Sequence, residues 1–146
     1  MAKFVLRNAF IQVNGVNLSD HCSSVTVESS ADDVDLTSFG ASAYREYAQG
    51  FKDATITATF FQDYGLASVH ATLQPLYDAA GGGTFAVYVK ADSGTTNSTN
   101  PRMELITARM FSYNPLAGAV GDGSSMDVEF RNAGTAGLTY GTTGSP

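Results

Sequence analysis

"DATITATFF", residues 53–61, is the stretch that decides the fold. Ala54, Ile56, Ala58 and Phe60 alternate with Thr55, Thr57, Thr59 and Phe61, which is the two-residue period of a strand with one core face and one wet or partner-facing face. Ser24-Val-Thr-Val-Glu28 repeats the pattern in miniature, with Val25 and Val27 opposite Thr26 and Glu28. Upstream, Phe10–Val13 and Val16–Leu18 flank Asn14-Gly15, the dipeptide that most readily adopts the positive φ angles of a two-residue hairpin turn. Downstream, 84–90, 102–113 and 125–131 read as further strands, and 137–140 as a last short one. One segment breaks the period: Ser68, Val69, Leu73, Leu76 and Ala80 recur at helical spacing. Ser68 stands at the N-cap, Gly81-Gly82-Gly83 as the stop, and Pro75 inside as a late start or a kink. The stretches 91–101 and 114–124, rich in Gly, Ser, Asn and Pro, read as loops. The closing GTTGSP, residues 141–146, reads as a flexible tail. The expected fold is mainly β, a β-sandwich or partial barrel with one short flanking α-helix, in a single domain over 1–146.

Composition agrees. The 146 residues are 43% hydrophobic and 15% charged with 15 Gly, so the chain folds but lacks the Glu and Lys that fill helices. A domain this long buries roughly 70% of its unfolded surface and needs no staples. Cys22, the single cysteine, excludes an intrachain disulfide. MAKFVLRNAFIQ holds no apolar run of signal-peptide length, and no later stretch spans a bilayer, which places the chain in a cytoplasm. A formal charge of −6 argues against coating DNA, since phosphate contacts need clustered cations.

Catalytic constellations fail for want of parts. His21-Cys22 are sequence neighbours, which an extended chain points to opposite sides. His70 has only His21 as a possible fellow zinc ligand. Glu28, Asp32, Asp33 and Asp35 lack calcium-loop spacing and read as a solvated acidic stripe. Gly118–Gly123 is Gly-rich without the Lys-Ser or Lys-Thr of a phosphate cradle, so it reads as a turn. No cofactor or metal is expected. What remains is Thr37–Asp53, seventeen residues without strand or helix pattern and loaded with Phe39, Tyr44, Tyr47 and Phe51 beside Arg45 and Lys52. A structureless loop of that length is either functional or mobile, and aromatics flanked by Arg are what protein interfaces concentrate. The competing reading is a loop folded back over its own core.

The order NGVNLSDHCSSVTVE (14–28), FGASAYREYAQGFKDATITATFFQDYG (39–65), HATLQPLYDAAGGGTFAVYV (70–89) and NPRMELITARMFSYNPLAGAVGDGSSMDVEFRNAG (100–134) resembles the major tail tube protein of long-tailed, noncontractile bacteriophages. The resemblance implies a structural protein and not an enzyme: six copies to a closed β-lined ring, and rings stacked into a hollow tube that delivers DNA. It implies a virion location after synthesis in the host bacterial cytoplasm, self-association, and other tail proteins at the tube ends, with no membrane. In that family a long loop between strands contacts neighbouring subunits, and 37–53 occupies its place. The polar strand faces then supply acidic lumen candidates, Thr26, Glu28, Asp127 and Glu129, past which DNA slides without specific binding. The alternative is a β-sandwich binding module for carbohydrate or protein that stacks ligand on Tyr44, Tyr47 and Tyr88.

Overall fold

The computed structural model describes residues 5–40, 44–79 and 83–143. Strand β1 (Phe10–Val13) turns through Asn14 and Gly15, with φ of 49° and 83°, into β2 (Val16–Asn17). Both turn residues are left-handed, the geometry that matches the right-handed twist of the paired strands. A single 3₁₀ turn, Ser19–His21, leads to β3 (Cys22–Asp35), followed by β4 (Tyr47–Phe61), α1 (Val69–Asp78), β5 (Phe85–Lys90), β6 (Arg102–Met110), β7 (Ser125–Asn132) and β8 (Leu138–Gly141).

The eight strands form one antiparallel sheet in the order β2-β1-β5-β6-β7-β4-β3, with β8 paired to β6. The expectation of a mainly β fold with one short helix is met, but the strands form one continuous sheet that does not close. Ile11 and Val13 of β1 share a single buried cluster with Ile56, Ala58 and Phe60 of β4, although three strands stand between them. The register explains how: Ile56 lies opposite both Val27 and Phe130, and Ala58 opposite both Val25 and Val128. Each strand therefore presents its apolar set to the same side.

Helix α1 seats Val69 and Leu73, both 0% exposed, on this core, with Leu76 packed against its margin. Ser68 is extended at the N-cap but makes no side-chain cap bond; its carbonyl accepts from the Thr72 amide and hydroxyl instead. Pro75 lies inside the helix without ending it. The expected stop at Gly81-Gly82 lies outside the described residues. The expected strand 102–113 ends earlier, at Met110, because Tyr113 is drawn off to hydrogen-bond His70 and Gln62. Of the expected tail, Gly141 belongs to β8, and 144–146 lie outside the described residues.

The largest departure concerns 37–53. Tyr47–Asp53 is not loop but the first half of β4, paired residue by residue with the second half of β3: Asp35 opposite Tyr47, Val34 opposite Ala48, Asp33 opposite Gln49. What is left of the expected loop between β3 and β4 is 37–46, of which 41–43 lie outside the described residues. Residues 29–35, Ser-Ser-Ala-Asp-Asp-Val-Asp, lack apolar alternation because neither face is buried, so the periodicity that reveals a strand has nothing to record.

Candidate assembly surface

β4 pairs with β7 only from Thr55 to Phe61. From Ala54 back to Tyr47 its sole strand partner among the described residues is β3, so the two strands leave the sheet as a two-stranded arm. Every residue from Glu28 to Asp35 is exposed. The tip is closed by the Leu36 amide on the Glu46 carbonyl at 2.8 Å and the Glu46 amide on the Thr37 hydroxyl at 2.9 Å. The Thr37 hydroxyl and amide also hold the Asp35 carboxyl below the usual range, and Arg45 lies 3.6 Å from Asp35.

A bulge shapes the arm. Ala31 faces Lys52 but Asp33 faces Gln49, so β4 carries one extra residue at Gly50-Phe51. A side chain at Gly50 would come within 3.1 Å of the Val34 side chain and 3.2 Å of Asp32 Cβ, so any larger residue would have to push these neighbours aside. The bulge also shifts the alternation by one. Phe51 stays on the face of Asp53 and Thr55, while Tyr47 joins Lys52 on the opposite face. The six candidate residues thus divide between the tip (Phe39, Tyr44, Arg45) and two faces of a ribbon (Phe51 on one, Tyr47 and Lys52 on the other). Phe39 is 112% exposed, Phe51 89% and Tyr44 86%. None of the three covers the core.

The acidic candidates do come together. Thr26, Thr57 and Glu129 form one cross-strand row, Glu28, Thr55 and Arg131 the next, and Ser24, Thr59 and Asp127 a third. Thr59 donates to Asp127 at 2.6 Å and Ser24 to Thr59 at 3.2 Å. Sequence reasoning missed Arg131, which shares the face and lies 3.4 Å from Asp53 and 3.6 Å from Glu129. Its alternation with Asp127 and Glu129 was the signal that could have found it. Arg109 of β6, opposite Arg131, adds a second guanidinium to the same face, and four carboxylates against two guanidiniums still leave it negative.

His21 and Cys22 do not act as a pair. His21 is clasped by Asp20 at 2.8 Å on Nδ1 and by Asp63 at 3.0 Å on Nε2, with the Ser68 hydroxyl 3.5 Å away. The Asp20 hydrogen bond raises its pKa, opposed by burial and reinforced by Asp63. Burial pushes the Cys22 thiol up, away from nucleophilic thiolate. His70 instead bonds Tyr113 at 2.8 Å and packs against Tyr64. Among the described residues no three His, Cys, Asp or Glu converge on a metal site. Tyr88 lies under Arg102 at 4.6 Å, with β6 and β7 between its strand and β4, so it shares no platform with Tyr44 and Tyr47.

The clasp ties the β2–β3 connection to the segment before α1, and its pH dependence has a definite sign. A raised His pKa contributes stability that is complete below the ordinary 6.5 and lost as pH rises through the folded value. Asp63 is lowered, by the Gly65 amide first and then by Ser68 and His21, so its contribution is complete above 3.8 and lost as pH falls through its depressed value. The clasp is therefore whole between those limits. The chain should melt higher at about pH 5 than at about pH 8.5, and His21→Gln should reduce that difference. An unchanged difference in the variant assigns the pH dependence to other groups.

No protein-family model matches the sequence, and no curated protein matches it. Solved structures do. A chain in the tail of an empty gene transfer agent particle of C6 symmetry superposes with a TM-score of 0.62 at 18% identity, covering 82% of this chain and 81% of that one. A chain in the virion of a native gene transfer agent particle gives 0.69 at 17%, covering 91% and 95%. A chain of the sheath–tube complex of an extracellular contractile injection system in its extended state gives 0.69 at 10%, covering 97% and 93%. The chain shares their fold. It does so over 82–97% of its length.

Proposed function

We propose that this chain is the repeating subunit of a phage-type tail tube, non-enzymatic and without cofactor, forming six-membered rings that stack into a hollow conduit for DNA. The observation that carries the reading is the arm: a two-stranded ribbon with aromatics on its tip and both faces, attached to a fold shared with chains of tail and tube particles. An isolated ribbon of this kind is marginal in water, and its apolar area becomes an asset only when a neighbour covers it. The long free edge of β3 supports the same reading, because ring closure pairs edges that would otherwise recruit foreign strands. The location that follows is the virion tail, after synthesis in the host cytoplasm, with other tail proteins at the tube ends. No helix of the described residues is long and apolar enough to cross a membrane.

Purified protein at rising concentration should form rings or tubes visible by negative-stain microscopy and elute ahead of a monomer on gel filtration. A stable monomer retained on a glycan column would favour the binding module instead.

In this tube the face of Glu28, Asp53, Asp127 and Glu129 lines the channel, where negative charge keeps a polyanion from adhering. Cations there would add counterion-release affinity at every ring. Glu28→Lys with Glu129→Lys should leave assembly intact but give tubes that retain DNA, with retention falling steeply as salt rises. Tubes that fail to hold DNA at low salt place this face on the outer wall.

A further inference from the structure

Strands β6 and β7 set two like charges face to face. Arg109 stands directly opposite Arg131 in the register, and Cβ atoms so opposed lie about 4.5–5.5 Å apart. Like charges in that position destabilise a sheet. The carboxylates nearby offset this only in part: Arg131 reaches Asp53 at 3.4 Å and Glu129 at 3.6 Å, single long contacts between half-exposed side chains, of a kind that contributes little. Arg109 lacks even these. Among the described residues it forms no ion pair and no hydrogen bond, and its Nε is buried. A buried N–H donor without an acceptor is costly and calls for a reason. Phe111, two residues beyond Arg109, carries the Arg131 guanidinium over its ring at 5.7 Å. That contact holds the Arg131 head on the β6 side, beside Arg109.

We infer that Arg109 and Arg131 form a binding site for a phosphate group, either free or in a nucleic-acid backbone. A guanidinium is a planar fork of N–H donors that matches phosphate and carboxylate oxygens two at a time. One fork saturates a carboxylate. A phosphate carries further oxygens, so two forks side by side can share it, and its charge turns the repulsion between the arginines into attraction to a common ligand. The buried Nε of Arg109 then belongs to a side chain held for a ligand rather than for its own sheet. Glu129 and Asp53 stand beside the pair and keep the site weak. Because four carboxylates outweigh it on the same face, the pair offers a phosphate one local, reversible contact, not the continuous cationic track that holds a polyanion fast. The site is complete within one chain, so it stands apart from the tube reading.

Phosphorus NMR of inorganic phosphate tests the site at fixed pH and ionic strength. Wild-type protein should broaden the phosphate resonance in a saturable way, and Arg109→Gln should raise the derived dissociation constant about tenfold, through loss of one charge-assisted fork. Arg109→Lys keeps the charge without the fork and should fall between the two; it carries the comparison alone if the Gln variant does not fold. In chloride, Arg109→Gln should melt no lower than wild type, since the opposed charge is gone. A fluorescent oligothymidylate followed by anisotropy separates the two sources of phosphate. Binding that weakens with Arg109→Gln in the same proportion assigns the ligand to a nucleic-acid backbone, and binding of inorganic phosphate alone assigns it to the free ion. A phosphate line that wild-type protein leaves sharp, or broadening that the Arg109 variants leave unchanged, overturns the site. Neither result bears on the tube reading, which fails only if wild-type protein forms no tubes.

Discussion

Replacing Tyr44, Arg45, Tyr47 and Phe51 together with Ser should leave a folded monomer that forms no tubes. These side chains lie on the arm, where β4 has no partner but β3 and no core beneath it, so their removal takes little from the isolated fold. The Arg45–Asp35 pair is exposed on both sides, and such surface pairs contribute about 0–1 kcal/mol. Interface anchors behave in the opposite way, with a few aromatics and arginines carrying most of the association energy. Circular dichroism and gel filtration should therefore show a wild-type-like monomer, and microscopy no rings or tubes at any concentration reached. Tubes formed by the folded variant would remove the arm from the assembly. Failure to fold would mean that the arm serves its own domain.

The reverse pattern is expected at Phe130. It is 0% exposed, lies opposite Ile56 on one side and Met110 on the other, and meets Phe85 edge-on with ring centroids 5.8 Å apart. It thus joins β4, β7, β6 and β5 at one point. Phe130→Ala should cost about 3–5 kcal/mol, the range for buried aromatic truncations, with further loss from the aromatic pair. Urea unfolding of the monomeric arm variant carrying Phe130→Ala would measure this free of assembly. A loss below about 1 kcal/mol, the range of surface substitutions rather than core ones, would mean that the site collapses without a cavity and that the β6–β7 junction is held by backbone pairing alone.

Where a strand buries one face, its chemistry was written into the sequence. Ala54–Phe60, Met126–Phe130 and the Asn14-Gly15 turn were legible because burial on one side imposes a period of two and a left-handed turn demands its residues. The helix was legible in Val69, Leu73 and Leu76 for the same reason. The sequence also determined that Thr26, Glu28, Asp127 and Glu129 share polar faces, since alternation alone decides that. Only the tertiary structure decided that these faces are one surface, because register across β3, β4 and β7 is set by pairing between segments far apart in the chain, such as Thr55 with Arg131. It alone placed Arg131 between two carboxylates and folded His21 between Asp20 and Asp63. The arm is the sharpest case. Solvent on both faces erased its periodicity, so it read as loop, yet backbone pairing with β3 makes it a strand. That distinction turns a segment free to settle on its own core into one held out toward another chain.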